Sequence, residues 1–182
     1  MKELSLNILD ITENSVKAGA TLTHISILED DERLVITITD DGKGMDAETL
    51  KGVTDPFYTT RTTRSVGMGL PLLKLQAEQT GGSMTIQSVS KEESNDNHGT
   101  KVQAVFFKNH IDFTPLGDVV SSVVTLIQGH PDTDFLFTHS VGEGEVKLDT
   151  RELREVLGGV SLNEYEVIKW IEEYLQEQYD SI

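Results

Sequence analysis

Residues 55–74 read DPFYTTRTTRSVGMGLPLLK, and the segment changes character midway. Its first half is polar and rich in Thr and Arg. After Gly67-Met68-Gly69 it becomes an apolar helical pattern, with Leu70, Leu73 and Ala77 recurring at three- and four-residue spacing beside a Leu72–Leu75 flank. A glycine pair at a helix entrance lets backbone N–H groups approach an anion closely. Those amides are unpaired and carry the positive end of the helix dipole. The ligand this predicts is a phosphate chain, with Arg61, Arg64 and the loop hydroxyls closing over it. By itself a GxG before a helix mostly shapes a turn, so the surrounding chain decides.

Towards the N-terminus, residues 4–18 (LSLNILDITENSVKA) predict a helix with Leu4, Ile8, Ile11 and Val16 on its apolar side and Gly19 as its stop. Asn7, Asp10, Asn14 and Lys17 follow one another at three- or four-residue steps on another face. A carboxylate, carboxamides and an ammonium on one stripe suit a metal-bound phosphate chain; the same stripe also reads as a solvated face. Thr23–Leu28 and Arg33–Thr39 alternate with period two and predict paired strands. The second runs into Asp40-Asp41-Gly42-Lys43-Gly44-Met45, which exposes a carboxylate beside open backbone. Such a carboxylate can accept a hydrogen bond from an exocyclic amine such as that of adenine. The bland alternative is a DG turn after a strand. Asp46 is a candidate N-cap for a short helix to Lys51.

Downstream, Gly81-Gly82 ends the central helix, and Ser83–Ser88 and Lys101–Phe107 predict two more strands around the polar excursion Lys91–His98. The order helix, two strands, short helix, loop, helix, two strands predicts a mixed sheet with helices on one side, a two-layer α/β sandwich of α+β type. From Ile111 a small α+β extension follows: a helix over Pro115–Gln128, strands at Phe135–Thr138 and Glu145–Leu148, a short helix to Leu157 capped by Asp149 or Thr150, and a last helix from Asn163 to about Tyr179. The last helix is expected to bury Val167, Trp170, Ile171 and Tyr174. Residues 141–182 hold eleven acids against four bases. His130 and His139 lack metal-ligand spacing and read as ordinary polar histidines.

Length and charge bound the function. At 182 residues the chain fits one domain with an appendage, here divided at 1–110 and 111–182, the second packing on or beside the first. A net charge of −16 disfavours nucleic acid and anionic membranes as partners. With no cysteine there is no disulfide, thiolate metal site or cysteine nucleophile. The first residues lack a signal peptide's apolar core and no run approaches spanning length, which predicts a soluble, cytoplasmic protein.

Several motifs, in this order, resemble the GHKL ATPases (gyrase, heat-shock chaperone, histidine kinase, MutL). Glu13-Asn14-Ser15 is similar to the family's N box, where the Asn ligates magnesium. Asp40-Asp41-Gly42-Lys43-Gly44 resembles its first glycine box, whose leading Asp reads the adenine amine. Asp55-Pro56-Phe57 and Gly67-Met68-Gly69-Leu70 look like the F box and second glycine box of the histidine-kinase branch. Gly99-Thr100 sits where a glycine–threonine element supports the adenine site. The resemblance covers residues 1–107 and implies a Bergerat-type fold. ATP would then lie between helices and a lid over Tyr58–Val66, with Phe57, Thr59, Thr60, Arg61 and Arg64 in or beside that lid. Lys17 is similar in place to a residue that reaches the phosphates, and Mg2+ would bridge Asn14 and the phosphate oxygens.

Two departures from the family pattern bear on activity. Histidine kinases place a phospho-acceptor His on a hairpin ahead of this domain, and here three residues precede the first helix. Gyrase- and MutL-type members carry a catalytic Glu four residues before the Asn, where this chain has Asp10, a shorter carboxylate that can still orient water or an acceptor hydroxyl. The expectation is a stand-alone, histidine-kinase-like ATP-binding protein that acts as ATPase or protein kinase on another protein in regulation. The alternative is a non-catalytic nucleotide sensor or adaptor working through its C-terminal extension.

Overall fold

A computed structural model describes residues 2–55 and 68–182. The first two layers take shape in chain order. Helix α1 (Leu4–Lys17) is followed by strands β1 (Leu22–Glu29) and β2 (Arg33–Asp40), helix α2 (Ala47–Gly52) and helix α3 (Gly69–Gln79). Strands β3 (Ser83–Val89) and β4 (Gly99–Phe107) come next. The chain continues through α4 (Val119–Gly129), β5 (Asp134–Val141), β6 (Gly144–Asp149), α5 (Thr150–Leu157) and α6 (Tyr165–Asp180). All six strands share one sheet, ordered β3-β4-β2-β1-β5-β6. Its pairings are antiparallel except β1 with β5, which run parallel. This is the α/β sandwich that the alternating strand patterns predict.

Period-two burial builds the core. Ile25 and Ile27 in β1, Leu34, Ile36 and Ile38 in β2, Val102, Ala104 and Phe106 in β4, and Phe135 and Phe137 in β5 all turn to one side. Leu4, Ile8 and Ile11 of α1, Leu70, Leu73 and Ala77 of α3, and Val123, Leu126 and Ile127 of α4 complete the same buried cluster. Each fully buried Leu or Ile contributes roughly 2 kcal/mol.

Residues beyond 111 are woven into the first half. The amides of Leu4 and Ser5, unpaired by α1 itself, donate to the carbonyls of Pro115 (2.9 Å) and Leu116 (2.8 Å). Glu3 at the N-cap makes no side-chain cap of its own. At the other end of α1, Glu13 meets His130 at 2.9 Å. Thus the segment that leads into α4, and the residue that ends it, hold both ends of α1.

Several boundaries and burials differ from expectation. The fourth helix begins at Val119 because Asp118, not the Pro115 region, caps it by accepting from Ser121 N–H. The last helix starts at Tyr165, two residues after Asn163. Its buried face is Val167, Ile171 and Leu175. Trp170 is 47% exposed and Tyr174 37% exposed, because they lie on the rim of that face rather than at its centre. His139, read from sequence as an ordinary polar histidine, takes the third inward position of β5, after Phe135 and Phe137, and is 3% exposed. Asn7 is fully buried, so the polar stripe of α1 is not one solvated face.

Candidate functional site

Four polar residues form a row across the sheet end. In the strand register Ser88 stands opposite Thr100, Thr100 opposite Asp40, and Asp40 opposite Thr23. Directly opposed residues of antiparallel strands project to the same face, so the row points towards the helices. It closes one end of an otherwise apolar surface.

Asp40 is held from two directions. Ser15 of α1 donates its hydroxyl to Asp40 Oδ2 at 2.6 Å, and the amide of Gly42 donates to Oδ1 at 2.9 Å. Each oxygen keeps a lone pair for a further donor. Asp41 turns the other way and accepts from Thr21 N–H (2.7 Å), the Thr21 hydroxyl and Leu22 N–H (3.0 Å). Partial burial opposes its charge, but these hydrogen bonds outweigh that and hold the carboxyl below the usual carboxylate range.

The glycines of this turn permit close packing. A methyl group at Gly42 would sit 3.0 Å from both Ala18 Cβ and Asp40 Oδ1. Gly44 has φ +67°, and a methyl there would fall 1.9 Å from the Val89 carbonyl oxygen. The turn is tied to α1 by Lys43 N–H donating to Ala18 O (2.9 Å). The β3–β4 connection holds its other side: Lys91 N–H donates to Lys43 O (2.7 Å), and His98 Nδ1 lies 2.5 Å from Gly42 O. A carbonyl only accepts, so Nδ1 is the protonated ring nitrogen.

Hydroxyl geometry assigns a direction to Thr100. Ser88 Oγ accepts from Met45 N–H at 2.8 Å and donates its single proton to Gly99 O at 3.0 Å. Its third contact, 2.8 Å to Thr100 Oγ1, therefore has Thr100 as donor. The remaining lone pairs of Thr100 and Asp40 make this floor an acceptor surface.

Above the floor lies a cavity of about 370 Å³. Ile11, Ile38, Met45, Leu70 and Val102 supply apolar walls, while Asn14, Lys17, Lys43, Ser90 and Glu92 supply polar ones. Its size and mixed lining suit a small ligand with a flat apolar body and an amine edge. Helix α3 starts beside it: Gly69 is buried, and a methyl there would come 3.3 Å from Asp10 Cβ. Met68, its N-cap, makes no side-chain cap.

Of the residues picked out from sequence, Asn14, Lys17, Asp40, Gly44, Leu70 and Thr100 line this cavity. Gly42 packs beneath it, and Gly69 and Asp10 stand together beside it, outside its lining. Met68 lies at the exposed start of α3. Phe57, Thr59, Thr60, Arg61, Arg64 and Gly67 lie outside the described residues. Sequence reasoning missed Ser15 as the partner of Asp40, although it sits inside the quoted Glu13-Asn14-Ser15. It also missed Ser88, Ser90, Glu92 and His98, which only the closed sheet brings to the site. Among the described residues no cluster of His, Asp and Glu could hold a metal ion by itself, and no helix is long and apolar enough to cross a membrane.

Comparison with known proteins follows the same geography. Residues 2–111 match the family model described as histidine kinase-, DNA gyrase B- and HSP90-like ATPase. The chain is similar to the sporulation kinase C of Bacillus subtilis, 31% identical over 88 residues, which is 48% of this chain and 20% of that protein. It is also similar to the sensor histidine kinase ZraS of Salmonella typhi, 27% identical over 89 residues (49% and 19%). The heme sensor protein HssS of Staphylococcus saprophyticus is 30% identical over 102 residues (54% and 21%). The chain thus spans about a fifth of the length of these relatives. In fold it resembles the Aquifex aeolicus MutL ATPase domain, solved with ADP, with a TM-score of 0.55 and 15% identity over 86% of this chain and 69% of that one.

Proposed function

Because the chain belongs to the family of histidine kinase-, DNA gyrase B- and HSP90-like ATPases, we propose that it binds ATP with magnesium in this cavity and acts as an ATPase or protein kinase on a separate protein partner. The observation that carries the reading is the Asp40–Thr100 acceptor pair at the cavity floor. Adenine presents an amine to such a floor, whereas guanine presents a carbonyl and would leave the acceptors facing an acceptor. The apolar walls suit a flat ring entering edge-on.

The phosphates would run towards Asn14, Lys17 and the start of α3 at Met68-Gly69-Leu70, where the Met68 side chain supplies no cap and the helix start favours anions. Phe57, Thr59, Thr60, Arg61, Arg64 and Gly67 are assigned to the same end on their motifs. Asn14 is the residue that would hold magnesium, which when bound offsets phosphate charge next to a protein of net charge −16. Asp10 is the candidate to orient water or an acceptor hydroxyl.

One observation favours the second reading, a nucleotide sensor without turnover: Asp10 does not line the cavity, and residues 115–130 grip the helix that carries it. Calorimetric titration of ATP with and without magnesium, followed by phosphate release, separates the readings. Asn14→Ala is expected to remove the magnesium dependence and leave weak magnesium-free binding. Magnesium dependence that survives this substitution would overturn the metal assignment. Binding with slow turnover supports the enzyme, binding without it the sensor, and no binding rejects both.

A further inference from the structure

Helix α6 has two unlike long faces. Val167, Ile171 and Leu175 are buried, and the helix packs on α4 and β6. Beside that face runs an exposed stripe, Glu166, Trp170, Glu173, Tyr174 and Glu177, in which each residue has a neighbour three or four positions away, so the five share one side of the helix. The Trp170 and Tyr174 rings are stacked, with centroids 4.8 Å apart and planes 11° from parallel. Single exposed aromatics are common on protein surfaces, but a stacked pair left half in water is an organised apolar platform. Glu166, Glu173 and Glu177 make no ion pair among the described residues.

From this arrangement we infer that α6 presents a docking stripe for an arginine-bearing basic segment of another protein. A guanidinium stacks on an indole face and pairs with carboxylates in the same plane, so a Trp–Tyr platform edged by three free glutamates matches it in both shape and charge. Charge selects the occupant. The helix carries five acids against one base, so a second copy would set like charges against each other. An anionic membrane or a nucleic acid meets the same repulsion from a chain of net charge −16. The stripe lies apart from the nucleotide cavity, none of whose lining residues comes from α6. The inference names a partner class for the proposed function without depending on nucleotide binding.

Trp170 is the chain's single tryptophan, so its fluorescence reports directly on the stripe. The probe is a synthetic amphipathic helix of Arg, Leu and Ala carrying about six positive charges, with an Arg→Gln version as control. A saturable change in Trp170 emission is expected with the Arg peptide and none with the Gln peptide. By anisotropy of labelled peptide, Trp170→Ala should weaken binding roughly tenfold although it removes no charge. The triple change Glu166→Gln, Glu173→Gln, Glu177→Gln should weaken it by a similar factor. Neutralising three acids elsewhere (Asp31→Asn, Glu32→Gln, Asp132→Asn) should leave it within about twofold. Equal losses in both triple variants, or undiminished binding by Trp170→Ala, would reduce the effect to general attraction and overturn the proposal. Self-association abolished by Trp170→Ala would overturn it in favour of a second copy. All titrations are repeated with excess ATP and magnesium, so that failure of nucleotide binding and failure of the stripe are read separately. Thermal unfolding confirms that each variant folds.

Discussion

Ser15 donates its hydroxyl to Asp40 Oδ2 at 2.6 Å, and this bond joins α1 to the end of β2 across 25 residues of sequence. It orients the carboxylate that faces the cavity and takes up one of its lone pairs. Asp40→Asn replaces one acceptor oxygen with a donor and should lower ATP affinity at least a hundredfold. Ser15→Ala keeps the charge but frees the carboxylate to rotate, and should cost about 1 kcal/mol of binding, roughly fivefold. Calorimetry on both variants checks the ordering; equal affinity for Asp40→Asn and wild type would sink the adenine assignment.

Two neighbouring acids on α1 face different ways. Glu13 meets His130 at 2.9 Å, whereas Asp10 stands beside Gly69 at the start of α3. If turnover is detected, Asp10→Asn is expected to reduce it at least a hundredfold with ATP affinity nearly unchanged. Glu13→Gln should leave the rate alone and cost under about 1 kcal/mol of stability, since the pair is partly solvated. A rate loss confined to Glu13→Gln would reverse the assignment.

Ser88 reaches three groups at once, the Met45 amide, the Gly99 carbonyl and the Thr100 hydroxyl. With Ser88→Ala the Thr100 proton is released to point into the cavity, turning an acceptor into a donor. Preference for ATP over GTP should therefore shrink several-fold, and stability should drop by about 1–2 kcal/mol for the unpaired groups. Competition between the two nucleotides, measured beside thermal unfolding, separates the effects. Lost stability with unchanged preference would mean Thr100 does not face the base.

Much of this was legible in the chain itself. The alternation of Ile25, Ile27, Leu34, Ile36 and Ile38 predicted two strands, and Asp40 at the end of the second was conspicuous because a charge follows an apolar run. What periodicity cannot convey is pairing. That Asp40 opposes Thr100, and Thr100 opposes Ser88, depends on a register set by the whole sheet. The Trp170 and Tyr174 errors have the same origin, since a helical wheel locates an apolar face but not where its neighbours stop covering it. The burial of His139 is not legible in sequence, because its partners, Glu29 and Tyr179, are a tertiary fact.

That buried histidine makes a pH prediction. His139 Nδ1 contacts the Tyr179 hydroxyl at 2.7 Å and Nε2 contacts Glu29 at 3.1 Å. Burial pulls its pKa below the ordinary 6.5, although the Glu29 carboxylate pulls upward. His24 is lowered too, by burial and then by Arg151. The unfolded chain takes up protons near 6.5 that the folded chain resists, so this contribution is complete above 6.5 and is lost as pH falls through the lower folded values. Tm should decline on acidification from about pH 7 to about pH 5.5, and His139→Gln should flatten part of that slope. A Tm that rises over this range would contradict the burial argument.

The parallel pairing of β1 with β5 has a consequence for synthesis. His24 in β1 bonds Thr138 in β5, 114 residues later. Until residues 134–141 leave the ribosome, one side of the strand Leu22–Glu29 has no hydrogen-bonding partner in this sheet. A nascent chain carrying only the eight elements that precede β5 therefore offers a β-prone template to any other strand nearby. Truncations short of β5 should consequently be recovered as aggregates rather than as a smaller working domain, and chaperone dependence should end abruptly once that strand is made.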